Sequence, residues 1–317
     1  MKKEQSLIKD VLSQSDIYEN ITEIELIQSG VNTTAKCTLE SNTVFVKALT
    51  FNPHTVESLQ RESIVLKKYS NWDKTPNLID YSFSGELYYI ITDFIPNSTY
   101  DTENAQFYYN LGEIYGEFCN KFSFKEPYSF QTESAPNFST SPTTYNDILQ
   151  KCLQEQMKYI LHPKLEEINE MITTILETTE FSFDTLRLVN TDCWIENCLY
   201  DSQGSPSHII DFQTTVFGLP IHQVTYLAEY MTHDKSSELT QEIEDNIYDG
   251  FTTSQPITGN TQTKLIELIV RTVFYMFKYK AANVWYSDAS KERINQAENN
   301  AVQKLLSLQD DIETYIS

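Results

Sequence analysis

The chain has 317 residues, 40% of them apolar and 21% charged, which is enough apolar material for one large core or two joined lobes and argues against a disordered protein. Its 45 acidic side chains outnumber 23 basic ones, giving a formal net charge of −22 at pH 7, and no basic stripe offers itself to nucleic-acid phosphates. The acids are scattered along the chain, as on a solvated surface that keeps a protein soluble at high salt.

The opening MKKEQSLIKD is charged and leads into no apolar core of signal-peptide length. Leu7, Ile8, Val11 and Leu12 then recur at helical spacing, which predicts a short amphipathic helix over 5–14. Strand-like runs follow around 24–28, 35–40 and 43–49, separated by the turn-forming SGVNTT and ESN, and read as a β-meander. The period turns helical over 54–69, and a further strand pair, IDYSFS and ELYYIITDF, is joined at Gly85.

Helices dominate after residue 95. Residues 105–122 form a helical pattern, 124–144 read as a Ser/Thr/Pro-rich loop, and 145–179 are helical again. Short apolar strands lie in ENCLYD and SHIIDF, around 196–212, and from 222 the chain reads as helices to its end. The apolar stretch LIELIVRTVFYMF is interrupted by Glu267 and Arg271, so no membrane span and no membrane partner is expected. Five cysteines (37, 119, 152, 193, 198) without CxxC pairs suggest reduced thiols in a cytoplasmic protein, and the five histidines lack metal-ligand spacing. Strands first and helices afterwards predict an α+β protein with its site between two lobes.

Two charged residues stand in apolar surroundings. Lys47 closes the alternating strand run Val44-Phe45-Val46, and Glu62 lies on or beside the apolar face of a helix carrying Val56, Leu59, Val65 and Leu66. An unpaired carboxylate there is costly, so a partner is expected, and a strand lysine held by a helix glutamate is a device for gripping nucleotide phosphates. The segment 188–213, LVNTDCWIENCLYDSQGSPSHIIDFQ, places Asp192 five residues before Asn197, with Asp211 at the end of a short apolar strand. An Asp near an acceptor hydroxyl, with an Asn and an Asp as hard oxygen ligands, is the set that Mg²⁺-assisted phosphoryl transfer needs.

This segment resembles the catalytic region of the aminoglycoside phosphotransferase and choline kinase family. Asn190-Thr191-Asp192 with Asn197 resembles its catalytic loop, Ile210-Asp211-Phe212 its metal-binding strand end, and Gly218-Leu219-Pro220 its following Gly-x-Pro. Upstream, SGVNTTAKC resembles its nucleotide loop, VFVKAL its lysine strand, RESIVLKKY its glutamate helix, YYIITDFIPN its hinge and NLGEIYGEF the next helix. The resemblance implies a protein-kinase-like two-lobed fold, with an antiparallel β-sheet N-lobe over 1–95 and a mainly helical C-lobe over 96–317. It implies ATP and Mg²⁺ as cofactors and a small-molecule hydroxyl as acceptor. Asp192 would be catalytic, and Asn197 and Asp211 would hold the metal. Gly30, Asn32 and Thr33 would belong to the nucleotide loop, Lys47, fixed by Glu62, would hold the ATP phosphates, and Thr92, Asp93, Phe94 and Ile95 would meet the adenine.

The family's catalytic-loop His is Asn190 here, its common Asp before the proline is Leu219, and the Asp that braces its loop is Gln223. These positions support the alternative of a silent nucleotide-binding or scaffold protein, although Gln can both donate and accept a bracing bond. A protein kinase is disfavoured, because there is no full glycine-rich loop and no Ala-Pro-Glu after Asp211. The acceptor is open among aminoglycosides, amino alcohols, sugars and hydroxylated amino acids. Glu229, Asp234, Asp245 and Asp249 could meet an amine but read better as acidic surface, and Tyr226, Tyr230, Trp285 and Tyr286 read better as core than as a stacking platform.

Overall fold

The computed structural model describes residues 2–15, 21–29, 32–50, 53–83, 87–124, 146–147, 149–150, 153–154, 163–179, 181, 186–233, 235, 237–284 and 291–316. In chain order the elements are α1 (Lys2–Gln14), β1 (Ile21–Ser29), β2 (Thr33–Leu39), β3 (Thr43–Thr50), α2 (Pro53–Lys68), β4 (Leu78–Ser82), β5 (Leu87–Asp93) and α3 (Ala105–Lys121). They continue with α4 (Pro163–Thr178), β6 (Arg187–Asn190), a 3-10 turn (Ile195–Asn197), β7 (Cys198–Tyr200), β8 (Pro206–Ile209) and β9 (Thr215–Gly218). Four helices close the chain: α5 (Pro220–Thr232), α6 (Ser237–Ser254), α7 (Thr261–Val284) and α8 (Lys291–Ile316). The described residues fall into two units, one of Met1–Phe107 with Trp194–Thr215 and the other of the remaining described residues.

Strand parity organises the first unit. Its five-stranded antiparallel sheet has the order β1-β2-β3-β5-β4. Alternate residues of a strand face opposite sides. Val44, Val46 and Ala48 of β3 thus join Ala35, Cys37, Tyr89 and Ile91 in a core that Ile8, Val11 and Leu12 of α1 cover. Lys47 is out of phase with that set and lies on the opposite face, paired across the ladder with Thr34 and Ile90. On α2 the buried residues are Val56, Leu59, Glu62, Ser63, Val65 and Leu66, so the helical period carries the glutamate inward, as the sequence spacing predicts.

The β7–β8 hairpin completes this unit. Its turn is built by Asp201, whose carboxylate oxygen accepts from the Gln203 and Ser205 amides at 2.8 and 3.0 Å. Gly204 there adopts φ of +77°, and a Cβ at this position would stand 3.1 Å from the Thr99 carbonyl. One side-chain and one backbone bond tie the hairpin to the segment after β5: the Tyr200 amide donates to Asn97 Oδ1 at 2.8 Å and the Ser98 amide to the Tyr200 carbonyl at 3.0 Å. Tyr100, Phe107 and Tyr200 pack ring on ring beside these bonds.

In the second unit α5 is buried on every side from Ile221 to Thr232, and α6, α7 and β6 pack around it. Pro220 at its first position supplies a helical φ without needing an amide partner. Tight crossings are made where glycines meet backbone: a Cβ on Gly250 of α6 would sit 1.9 Å from the Tyr109 carbonyl of α3. The expected order of strands before residue 95 and helices after it holds. Strands β6 and β9, which pair with each other, are additions. At four residues each they are too short for a period to show.

Candidate active site

Lys47 of β3 reaches Glu62 of α2 with Nζ 2.8 and 3.0 Å from the two carboxylate oxygens, a forked pair in which both side chains are under a tenth exposed. Asp211 Oδ1 lies 3.4 Å from the same nitrogen, and its side chain is 35% exposed against 9% for Lys47. Burial opposes the Lys47 charge, but Glu62 and Asp211 outweigh it and hold the ammonium above the ordinary lysine range. The lysine is therefore a fixed cation within this unit, with Asp211 on its more exposed side.

Asp211 has φ of +57°, and among the described residues no other non-glycine has positive φ. Asp tolerates this left-handed conformation better than most residues, at a cost of about 1–2 kcal/mol. Just before it, the Ile210 amide donates to the Asn197 carbonyl at 2.9 Å. This bond continues the β7–β8 ladder one step past the Cys198–Ile209 pair, so Asn197 and Asp211 leave the same end of one hairpin. Their amide and carboxylate oxygens are hard donors, a set that fits Mg²⁺ sharing its shell with phosphate and water. Arg61, next to Glu62, donates to the Gln213 carbonyl at 3.2 Å and fixes the chain that follows Asp211; only the fold pairs these two residues.

The remaining nucleotide candidates are distributed as follows. Thr33 opens β2, while Asn32 just before it has a buried Oδ1 with no hydrogen-bond partner among the described residues. Gly30 lies outside the described residues. At the end of β5 the Asp93 carboxylate accepts from the Asn77 amide and Nδ2 at 2.7 and 2.8 Å, and the Asp93 amide donates to the Asn77 carbonyl. The Asp93 carbonyl accepts from the Thr92 hydroxyl, and the Phe94 amide donates to the Thr43 carbonyl. Of this segment, then, Thr92, Asp93 and Phe94 are bound into the protein, and Ile95 makes no backbone hydrogen bond among the described residues.

Asp192 belongs to the second unit, where its segment is braced. The Asn190 amide donates to Gln223 Oε1 at 2.8 Å, and Gln223 Nε2 donates back to the Asn190 carbonyl at 3.1 Å. Both residues are fully buried. The Asp192 amide donates to Asn190 Oδ1 at 3.1 Å, and the Tyr230 hydroxyl donates to Asp192 Oδ1 at 3.3 Å. Burial, with Asp192 beside it, pushes the Tyr230 phenol far up, so it remains a donor. Cys193 and Cys198 flank this segment as inert thiols: burial raises Cys193 well above its ordinary value and Cys198 to about 12.

Of the acids after residue 222, Glu229 departs from the expected acidic surface. Glu229 is buried and binds Arg271 and Tyr275, and Arg271 also takes Glu244 and Glu267. Asp245 and Asp249 are exposed, Tyr226 and Tyr230 are core residues, and Asp234, Trp285 and Tyr286 lie outside the described residues.

No protein-family model and no curated protein matches the sequence. Solved structures do match the fold. A choline kinase, LicA from Streptococcus pneumoniae, aligns over 96% of this chain and 99% of its own with a TM-score of 0.61 at 13% identity. The fold is protein-kinase-like. A choline/ethanolamine kinase family protein from Mesorhizobium loti shares this kinase-like fold over 99% of this chain and 98% of its own, with a TM-score of 0.63 at 10% identity. So does a thermostable mutant of the aminoglycoside phosphotransferase APH(4)-Ia in ternary complex with ADP and hygromycin B, over 94% and 97%, with a TM-score of 0.63 at 12% identity.

Proposed function

We propose that the protein is an ATP- and Mg²⁺-dependent phosphotransferase that moves the γ-phosphoryl group to a hydroxyl of a small molecule. The observation that carries this reading is the buried Lys47–Glu62 pair with the half-exposed Asp211 beside its ammonium. A buried ion pair often stabilises a fold no more than apolar residues of the same volume, so a need to hold phosphate is the better account of this one.

On this reading Lys47, steered by Glu62, binds phosphate oxygens, and the Ile95 backbone meets the adenine. Asn197 and Asp211 would hold Mg²⁺, whose chemistry when bound is to neutralise charge on the transferring group. Asp192 accepts the hydrogen bond of the acceptor hydroxyl, orients it for attack and receives its proton. The Tyr230 hydroxyl on Oδ1 favours presentation of the other carboxylate oxygen to the acceptor. Positioning and charge neutralisation would then supply most of the acceleration. The two-bond brace from Gln223 supports an ordered catalytic segment, and with it an active enzyme over a silent scaffold.

A thermal-shift titration with Mg²⁺ and ATP tests this, in the wild type and in Asp211→Ala, at low and high salt. A ligand that binds only the native state adds about 2.7 kcal/mol at a hundredfold excess over its Kd. Stabilisation that requires both Mg²⁺ and Asp211 is expected, followed by ADP release with hydroxyl acceptors. No shift with ATP or GTP at any salt would overturn the reading.

A further inference from the structure

We infer that Tyr200 is a positioning residue for Asn197, the proposed metal ligand: its hydroxyl holds the short turn that presents Asn197, and so sets how tightly Mg²⁺ is bound with the nucleotide. This rests on the phosphotransferase reading and assigns a further residue to that site. All the contacts concerned lie within the first unit. Tyr200 is fully buried on β7, and its hydroxyl lies 2.7 Å from the Ile195 carbonyl oxygen, which can only accept. The phenol is therefore the donor.

Ile195 opens the 3-10 turn Ile195–Asn197, and its carbonyl also accepts from the Cys198 amide. None of the turn's three residues is buried, and no side-chain hydrogen bond caps its start at Trp194. A single 3-10 turn has poor hydrogen-bond geometry, so outside support counts for more in it than in an α-helix. At its far end the Asn197 amide donates to the Trp194 carbonyl and the Asn197 carbonyl accepts from the Ile210 amide, each at 2.9 Å. Asn197 thus stands between the turn, which Tyr200 holds, and the hairpin, which leads to Asp211. Fixing its backbone from both directions narrows the positions open to its side chain, and a metal is held more tightly by donors already in place.

Tyr200 is itself held at its backbone and at its ring. Its amide donates to Asn97 Oδ1 at 2.8 Å, and its carbonyl accepts from the Ser98 amide at 3.0 Å. Its ring centroid lies 4.5 Å from that of Tyr100 and 5.7 Å from that of Phe107. A phenylalanine would keep each of these contacts and lose the bond to Ile195. A ring buried for volume alone needs no hydroxyl, and a buried hydroxyl is costly unless it is bonded, so the phenol asks for a use beyond packing. In the sequence Tyr200 reads as one more apolar position of the strand ENCLYD; that its hydroxyl turns back five residues is decided by the fold.

The test compares the affinity for ATP in excess Mg²⁺ with that in EDTA, by calorimetric titration at one temperature; the ratio is the gain that the metal brings. Tyr200→Phe should lower this gain by about threefold to tenfold, the value of one hydrogen bond between neutral groups, and leave the affinity in EDTA unchanged. Asn197→Ala should lower the gain at least as far. Adding Tyr200→Phe to Asn197→Ala should then lower it no further, because two residues that act through one ligand are not additive. Tyr109→Phe, which loses the bond between its hydroxyl and that of Thr253 in the second unit, should leave the gain at its wild-type value. Circular dichroism checks that each variant is folded, and Tyr200→Phe keeps the buried ring. A gain unchanged in folded Tyr200→Phe, an equal loss in Tyr109→Phe, or a full further loss on the Asn197→Ala background would each overturn the inference. The last two would mean that the hydroxyl acts through general stability and not through Asn197. A wild type that binds no ATP, or binds it no better with Mg²⁺, would instead remove the phosphotransferase reading, and this inference with it.

Discussion

Lys47 and Glu62 are buried charges whose placement follows from local periods, a strand alternation of two and a helical stripe. Removing one partner of such a pair leaves the other uncompensated. Glu62→Ala is expected to lower the unfolding free energy by about 3 kcal/mol in urea titration, since Asp211 only partly replaces the lost charge. His222 carries a second residue-scale prediction. It is 1% exposed on α5, and burial lowers its pKa to about 3. The unfolded chain binds a proton there near pH 6.5 that the folded chain does not take up until about pH 3. Its contribution to stability is thus present above pH 6.5 and is lost as pH falls from there towards 3, by at most about 1.4 kcal/mol per pH unit. Urea midpoints of the wild type between pH 7 and 5 should fall more steeply than those of His222→Gln. Parallel curves would show that this residue does not govern acid sensitivity.

At the scale of elements, the brace under Asp192 is neutral. Gln223 gives one bond and receives one through the two ends of its amide, which an ionised carboxylate of the same shape cannot do. Gln223→Glu removes the donor and sets a carboxylate oxygen against the Asn190 carbonyl, at a cost of about 1–3 kcal/mol for the unsatisfied group. The expected result is a kcat loss of about tenfold or more with little change in KM for ATP, whose candidate residues belong to the other unit. An equal loss in both parameters would mean general unfolding. The α3–α6 crossing is the other test at this scale. Gly250→Ala forces a methyl into the Tyr109 carbonyl, and helices must separate to admit it. A loss of about 2–4 kcal/mol is expected from chemical denaturation, more than an ordinary overpacked core position gives.

For the whole molecule the net charge of −22 works against the compact state. Added salt screens that repulsion, so the melting temperature should rise with KCl from about 0.1 M, where the screening length is about 10 Å, to 1 M, where it is about 3 Å. A flat or falling curve would mean that the buried ion clusters, at Lys47 and at Arg271, outweigh the surface acids.

Much of the candidate site was legible from sequence, because each part announces itself locally. A lysine closing an alternating strand run, a glutamate in phase with a helical stripe, and Asn197 and Asp211 at one end of an apolar hairpin all lie within a few residues of the pattern that marks them. The α+β order was legible for the same reason. What only the tertiary structure decided is which distant residues meet. Glu229 finds Arg271 across 42 positions and becomes part of the core instead of an acidic rim. His233 finds Lys278 across 45. Asp211 takes a left-handed backbone that composition does not mark. These features depend on how helices and strands remote in sequence pack together, and no period within a single element carries that information.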